Sequence, residues 1–330
     1  MKKVCAFVLA LVLLTGLFSC PALASGKKIS VVTTLFPFYD WVREVGGENV
    51  EITLLLDSGV DLHSYQPSAQ DILKISAADL FIYVGGESDA WVEDVLKTAN
   101  RGGLTSMSLL EALGDSIKME EIVEGMEHEH EHDEDHDHDE DHDHDEDHEH
   151  EAEADEHVWL SLRNAQELTR AIADALAELD PDHAESYRAN AAAYIEKLAA
   201  LDAEYISAVE NAAFHTVLFG DRFPFRYLAD DYGLTYYAAF SGCSAESEAS
   251  FQTIVFLAQK VDELGLPAVL TIEHPKTRIA ETVVATTKAK DQKILSMDSM
   301  QGTTARDIQA GATYLGIMES NLQILIDALN

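Results

Sequence analysis

Residues Glu127 to Glu151 comprise nine histidines and sixteen acidic residues and nothing else. Within this run the hexad DHDHDE repeats. A segment with no apolar side chain has nothing to bury and cannot fold by itself, so it reads as a disordered, solvated tether. Its imidazole nitrogens suit zinc, copper and nickel, and its carboxylates add charge without adding much selectivity. A run of this density points to transition-metal handling. Five histidines lie outside it: His63, His157, His183, His215 and His274. If there is a folded metal site, it must draw on these and on nearby carboxylates.

The elements that would position them alternate in type. Strands are expected at 29–34, 50–56, 79–84 and near 104, with helices starting near Pro37, capped by Ser68 as far as Ser76, and at 89–98. Behind the acidic run, 162–179 reads as a helix, Asp180-Pro181-Asp182 stops it, and 183–211 reads as one long helix. At about 1.5 Å per residue that helix spans roughly 43 Å, a length suited to joining two lobes. Further strands are expected at 215–220, 234–240, 267–272 and 293–297. The expected fold is therefore α/β, with two parallel-sheet lobes joined by one long rigid helix. The expected division is a signal peptide at 1–24, an N-terminal lobe at 27–126, a disordered acidic loop at 127–156, the end of that lobe at 157–182, the connecting helix at 183–211 and a C-terminal lobe at 212–330.

Ligands of open parallel sheets bind beyond the carboxyl ends of the strands, and this rule sorts the candidates. His63 follows the second strand, Glu273 and His274 follow the strand ending at Ile272, and Asp221 follows the strand expected to end at Gly220. His215 opens its strand, roughly 20 Å from that end, and reads as structural or surface. His183 reads as solvent-exposed. His157 precedes the apolar triplet Val158-Trp159-Leu160, whose burial would fix its position. Cys243 stands alone in Ser241-Gly242-Cys243-Ser244 and reads as structural. Three or four nitrogen and oxygen ligands from separate loops would satisfy tetrahedral zinc; one or two carboxylates among them would also admit manganese.

The formal charge is −38, of which the acidic run carries sixteen, leaving −22 elsewhere. That excludes nucleic acid and anionic membrane surfaces as partners and favours cations. Lys2 and Lys3 precede an apolar stretch at 4–18 that reads as a secretion signal. Ala22-Leu23-Ala24 offers an ordinary cleavage site, and Leu17-Phe18-Ser19-Cys20 offers a lipobox that would make a lipoprotein through Cys20. Either route exports the chain to the periplasm or the outer face of the cytoplasmic membrane. Of the three cysteines, only Cys243 would remain unmodified, so the fold cannot rest on disulfides.

The segments ISVVTTLFPFYDWVREVGG, DLHSYQPSAQDILKISAADLFIYVGG, DEHVWLSLRNA, ELDPDHAESYRANAAAYIEKLAALDAE and FRYLADDYGL resemble the metal-binding solute-binding proteins of ABC importers, and specifically the zinc branch (ZnuA-like) with its histidine-rich insertion. The resemblance covers nearly the whole mature chain. It implies two lobes bridged by a rigid helix, a metal in the cleft, and His63 and His157 as first-lobe ligands. The usual third histidine, at the end of the second lobe's first strand, is missing; Phe219-Gly220-Asp221-Arg222 stands there. Asp221 is the nearest substitute, although pairing with Arg222 would neutralise it. Glu273 matches the usual carboxylate ligand, and His274 beside it could replace the lost imidazole. The expected set is His63, His157 and His274, with Glu273 or Asp221 fourth or in support.

The resemblance implies capture of Zn²⁺ outside the membrane for a cognate ABC permease by a monomeric, non-enzymatic protein. The acidic run would collect metal loosely while the cleft holds one ion tightly. A manganese-binding member of the same family and a sequestering protein without a permease are the alternatives. A zinc hydrolase would need an open coordination position and a base, and no nucleophile constellation accompanies Glu273.

Overall fold

The computed structural model describes residues 27–99, 103–126, 153–244, 248–273 and 277–330. The acidic-histidine run and His274 therefore lie outside the described residues. The chain begins with β1 (Ile29–Thr33), whose apolar run suits a strand covered on both faces. Next comes α1 (Phe36–Gly46), with Pro37 in its first turn, where a missing N–H costs nothing. Then follow β2 (Val50–Leu54), α2 (Ala69–Ala77), β3 (Leu80–Tyr83), α3 (Trp91–Ala99), β4 (Thr105–Ser108) and α4 (Leu109–Leu113). Ser68 and Asp71 close a capping box at the start of α2, matching the start expected from Ser68.

Beyond the acidic run, α5 (Leu162–Leu179) and the 27-residue α6 (Ala184–Glu210) form a helical hairpin. The C-terminal lobe comprises β5 (Thr216–Phe223), α7 (Arg226–Tyr232), β6 (Thr235–Ser241), α8 (Phe251–Leu264), β7 (Ala268–Ile272), α9 (Arg278–Thr286), β8 (Lys293–Met297), α10 (Ala305–Gln309) and α11 (Tyr314–Ala328). No helix among the described residues is long and apolar enough to cross a membrane.

Both sheets are parallel throughout and have the same order, β2-β1-β3-β4 and β6-β5-β7-β8. The fold is thus two parallel-sheet α/β lobes bridged by a long helix. One continuous apolar core runs through both lobes, and a smaller core fills one face of the second sheet. At the join, buried Trp159 donates its indole N–H to the Ser299 carbonyl at 2.8 Å, and Tyr314 donates its hydroxyl to the Trp159 carbonyl at 2.7 Å. The Trp41 and Tyr314 rings meet edge to face at 5.1 Å, and the Asp40 carboxylate accepts the Tyr314 N–H at 2.9 Å.

Two expectations change. β5 does not end at Gly220 but runs to Phe223, with a register shift between Phe219 and Arg222 in its pairing with β6. Asp221 therefore lies within a strand and not beyond one. Residues 153–156, read as the end of the disordered loop, are packed: Asp155 and Glu156 are buried, and the segment pairs with 118–120 through Glu120 N–H to Glu153 O and Asp155 N–H to Lys118 O. Lys118 and Glu121 in turn form ion pairs with Asp230 and Arg226 of the second lobe.

Candidate metal centre

His63 sits in a single 3-10 turn, Leu62–Ser64, on the loop after β2. Asp61 caps this turn by accepting the His63 N–H at 3.0 Å. The other carboxylate oxygen of Asp61 receives Arg222 Nη2 of the second lobe at 2.6 Å. Arg222 therefore pairs across the cleft with Asp61, not with its neighbour Asp221. His157 is fully buried at the start of the turn Val158–Leu160, whose three side chains are also buried.

The two imidazoles converge. His63 Nε2 and His157 Nε2 are 3.4 Å apart. The opposite ring nitrogens are engaged. His157 Nδ1 lies 3.0 Å from Asp155 Oδ1, which also accepts the His157 backbone N–H at 2.8 Å. His63 Nδ1 lies 2.7 Å from Ser88 Oγ and 3.6 Å from Glu156 Oε2. At His157 the carboxylate facing Nδ1 assigns the proton to that nitrogen and leaves the Nε2 lone pair exposed, the arrangement that orients metal-ligating histidines. It points at the Nε2 atom of His63. Tetrahedral zinc, with Zn–N near 2.0–2.1 Å, would hold its nitrogens about 3.3–3.4 Å apart. Burial and the neighbouring His157 push the His63 pKa down to about 3, so the His63 ring stays neutral.

Glu156 is the second support. Its Oε1 accepts the Ser88 N–H at 2.8 Å, while its buried Oε2 has no hydrogen-bond partner and faces the His63 ring. Burial raises its pKa above the ordinary carboxylate value. Gly86, at φ +80°, makes room for it: a Cβ there would lie 2.4 Å from Glu156 Oε1.

The second lobe closes over this pair from its own strand ends. The loop after β6 brings Cys243 to the imidazoles, so that one donor atom each from His63, His157 and Cys243 lie within 4.8 Å of one another. Gly242 rests on the His157 ring; a Cβ there would be 3.0 Å from Cε1 and 3.1 Å from Nδ1. Cys243 follows the end of β6 by two residues, so the strand-end rule that selected His63 also points to it.

Among the described residues, the second-lobe candidates Glu273 and Asp221 bond to other groups. Glu273 Oε2 accepts the Ser299 N–H and Oε1 accepts the Ser299 hydroxyl, both at 2.6 Å. Burial and the Asp298 carboxylate raise the Glu273 pKa to about 7. Asp221 accepts the backbone N–H groups of Arg222 at 2.9 Å and Ile272 at 3.3 Å. Neither joins the three-residue cluster. His183 is exposed and paired with Asp180 at 2.6 Å, and His215 is exposed just before β5.

Known proteins resemble this chain along most of its length. The family model described as zinc-uptake complex component A, periplasmic, matches residues 31–328. The zinc-binding protein AdcA of Streptococcus pyogenes is 32% identical over 309 residues, covering 92% of this chain, which spans 56% of that relative's length. The high-affinity zinc uptake system protein ZnuA of Bacillus subtilis is 29% identical over 306 residues, covering 93% of this chain and 89% of the relative. Among solved structures, the Zn(II)-bound ZnuA-like domain of Streptococcus pneumoniae AdcA superposes with a TM-score of 0.70 at 29% identity, covering 92% of this chain and 99% of that one.

Proposed function

The chain belongs to the zinc-uptake complex component A family, and from that membership and its cleft we propose that it captures Zn²⁺ outside the cytoplasmic membrane and delivers it to an ABC permease. The observation that carries the reading is the 3.4 Å approach of two Nε2 atoms whose opposite nitrogens are engaged. His63 and His157 supply the first lobe's ligands. From the second lobe, the sequence candidates for completing the site are His274, Glu273 and Asp221. Two imidazoles favour zinc over manganese, which prefers carboxylate and water. The N-terminal apolar stretch and the family's periplasmic description support export, with anchoring through Cys20 as one form of it.

Calorimetric zinc titration of the chain lacking residues 127–151 tests this. One tight site is expected to remain, and His157→Ala is expected to weaken it at least about 100-fold, because even supporting groups around a metal are worth about 10–100-fold. Loss of all tight binding with the run would instead make the run the metal site and favour sequestration without a permease. The two-lobe scaffold argues against that alternative, since a sponge needs no cleft.

A further inference from the structure

We infer that Cys243 supplies the third ligand of the cleft, through sulfur, so that the second lobe contributes a thiolate where the family resemblance implies an imidazole. This rests on the zinc-capture reading and names the site's chemistry within it.

Several independent observations converge on that sulfur. Its distance from both imidazoles, at most 4.8 Å, is close to what a shared ion needs: with Zn–S near 2.3 Å, a tetrahedral site sets nitrogen and sulfur about 3.6 Å apart. The loop that carries it is held from three sides. Glu120 Oε1 accepts the Cys243 N–H at 2.9 Å, Arg222 Nη1 donates to the Ser244 carbonyl at 3.2 Å, and Gly242 seats on the His157 ring.

Burial, together with the Glu120, Asp155 and Glu156 carboxylates, drives the thiol pKa far up, opposed by a backbone hydrogen bond from Glu156. Without a cation, the sulfur stays protonated and inert as a nucleophile. A divalent ion seated between the imidazoles reverses the local field. As the S–Zn bond forms, the thiol proton leaves to solvent, and the same carboxylates then stabilise the bound cation.

Cobalt(II) reports thiolate ligation directly, because sulfur-to-cobalt charge transfer absorbs in the near ultraviolet. Imidazoles and carboxylates of the acidic run give no such band. Cys5 and Cys20 are common to every variant of the full chain and cancel in the difference. The full chain is expected to develop the band with saturation at one cobalt, and Cys243→Ser is expected to lack it. Cys243→Ser should also weaken the tight zinc site about 100-fold or more, as befits a direct ligand rather than a supporting group. Cys243→His should recover tight zinc binding without the band. In the unsubstituted chain, X-ray absorption at the zinc edge should show one sulfur about 2.3 Å from the zinc, and His63→Ala should abolish it; this readout holds even if Cys243→Ser misfolds. An unchanged band and affinity in Cys243→Ser would overturn the inference, as would loss of tight binding in His274→Ala with no sulfur in the zinc shell of the unsubstituted chain. Both leave zinc capture standing. Full-strength binding in His63→Ala would instead overturn the capture reading itself.

Discussion

The loops after β2 and β3 in the first lobe have exact counterparts after β6 and β7 in the second, because the two sheets share one strand order. After β2 the chain presents His63, and after β6 it presents Cys243. After β3, Asp89 is buried and accepts the Val84 and Gly85 N–H groups at 2.8 and 3.1 Å; after β7, Glu273 is half-buried and accepts from Ser299. Each lobe thus offers one donor to the cleft from its edge strand and turns one carboxylate inward from a more central strand. The asymmetry comes from outside this repeat. His157, Asp155 and Glu156 follow the acidic run and give the first lobe a second imidazole with its own supports. Matching sheets therefore fix where the candidate donors His63 and Cys243 sit, and an appended segment adds a second imidazole beside them.

Cutting the join between the lobes should have the largest effect. Trp159 is fully buried, touches Phe38 and His157, and bonds to Ser299 of the second lobe. Trp159→Ala is expected to cost about 3–5 kcal/mol in denaturant unfolding, with zinc affinity falling as His157 loses its backing.

The matched carboxylates set a pH dependence. Burial, with a contribution from Glu156, raises the Asp89 pKa to about 7. Its folded pKa lies above that of the unfolded chain, so the fold keeps a proton that the unfolded chain has released. This stability is fully present below about pH 4 and declines as pH rises toward 7, by a few kcal/mol at most at about 1.4 kcal/mol per pH unit. Asp89→Asn should flatten that slope in unfolding curves recorded from pH 4 to 7; an unchanged slope would refute the assignment.

Removing the appended segment's support is a smaller test. Asp155→Asn should weaken zinc binding about 10–100-fold by freeing the His157 ring, with no comparable change for Asp180→Asn, whose histidine partner is on the surface. The smallest effect belongs to the ion pair across the cleft. A double-mutant cycle on Asp61 and Arg222 should give a coupling of about 1 kcal/mol, since both groups remain partly exposed.

Much of this was legible before any coordinates. β-branched runs and caps placed all eight strands within a few residues, because parallel strands buried on both faces leave a continuous apolar signature. The failure at β5 has a physical cause. Asp221-Arg222 reads as the start of a loop, yet the Asp221 carboxylate bonds to strand backbone and the register shift keeps both residues in the sheet. His63 and His157 could be chosen from strand ends and burial. Cys243 met the same strand-end criterion but was read as structural, because a single cysteine carries no spacing signal. What was not legible is that Gly242 allows its loop to touch His157, since contacts between lobes leave no local pattern.

The 3.4 Å separation of the two Nε2 atoms also bears on time. A pair of imidazole nitrogens already at the spacing an ion requires has met its ordering cost during folding, not at the moment of encounter. The arriving ion waits on no rearrangement of the first lobe, and its entry is governed by how fast it sheds water. Differences in affinity between metals, or between variants, then fall on the escape rate. For an ion held this way, escape is the slow act.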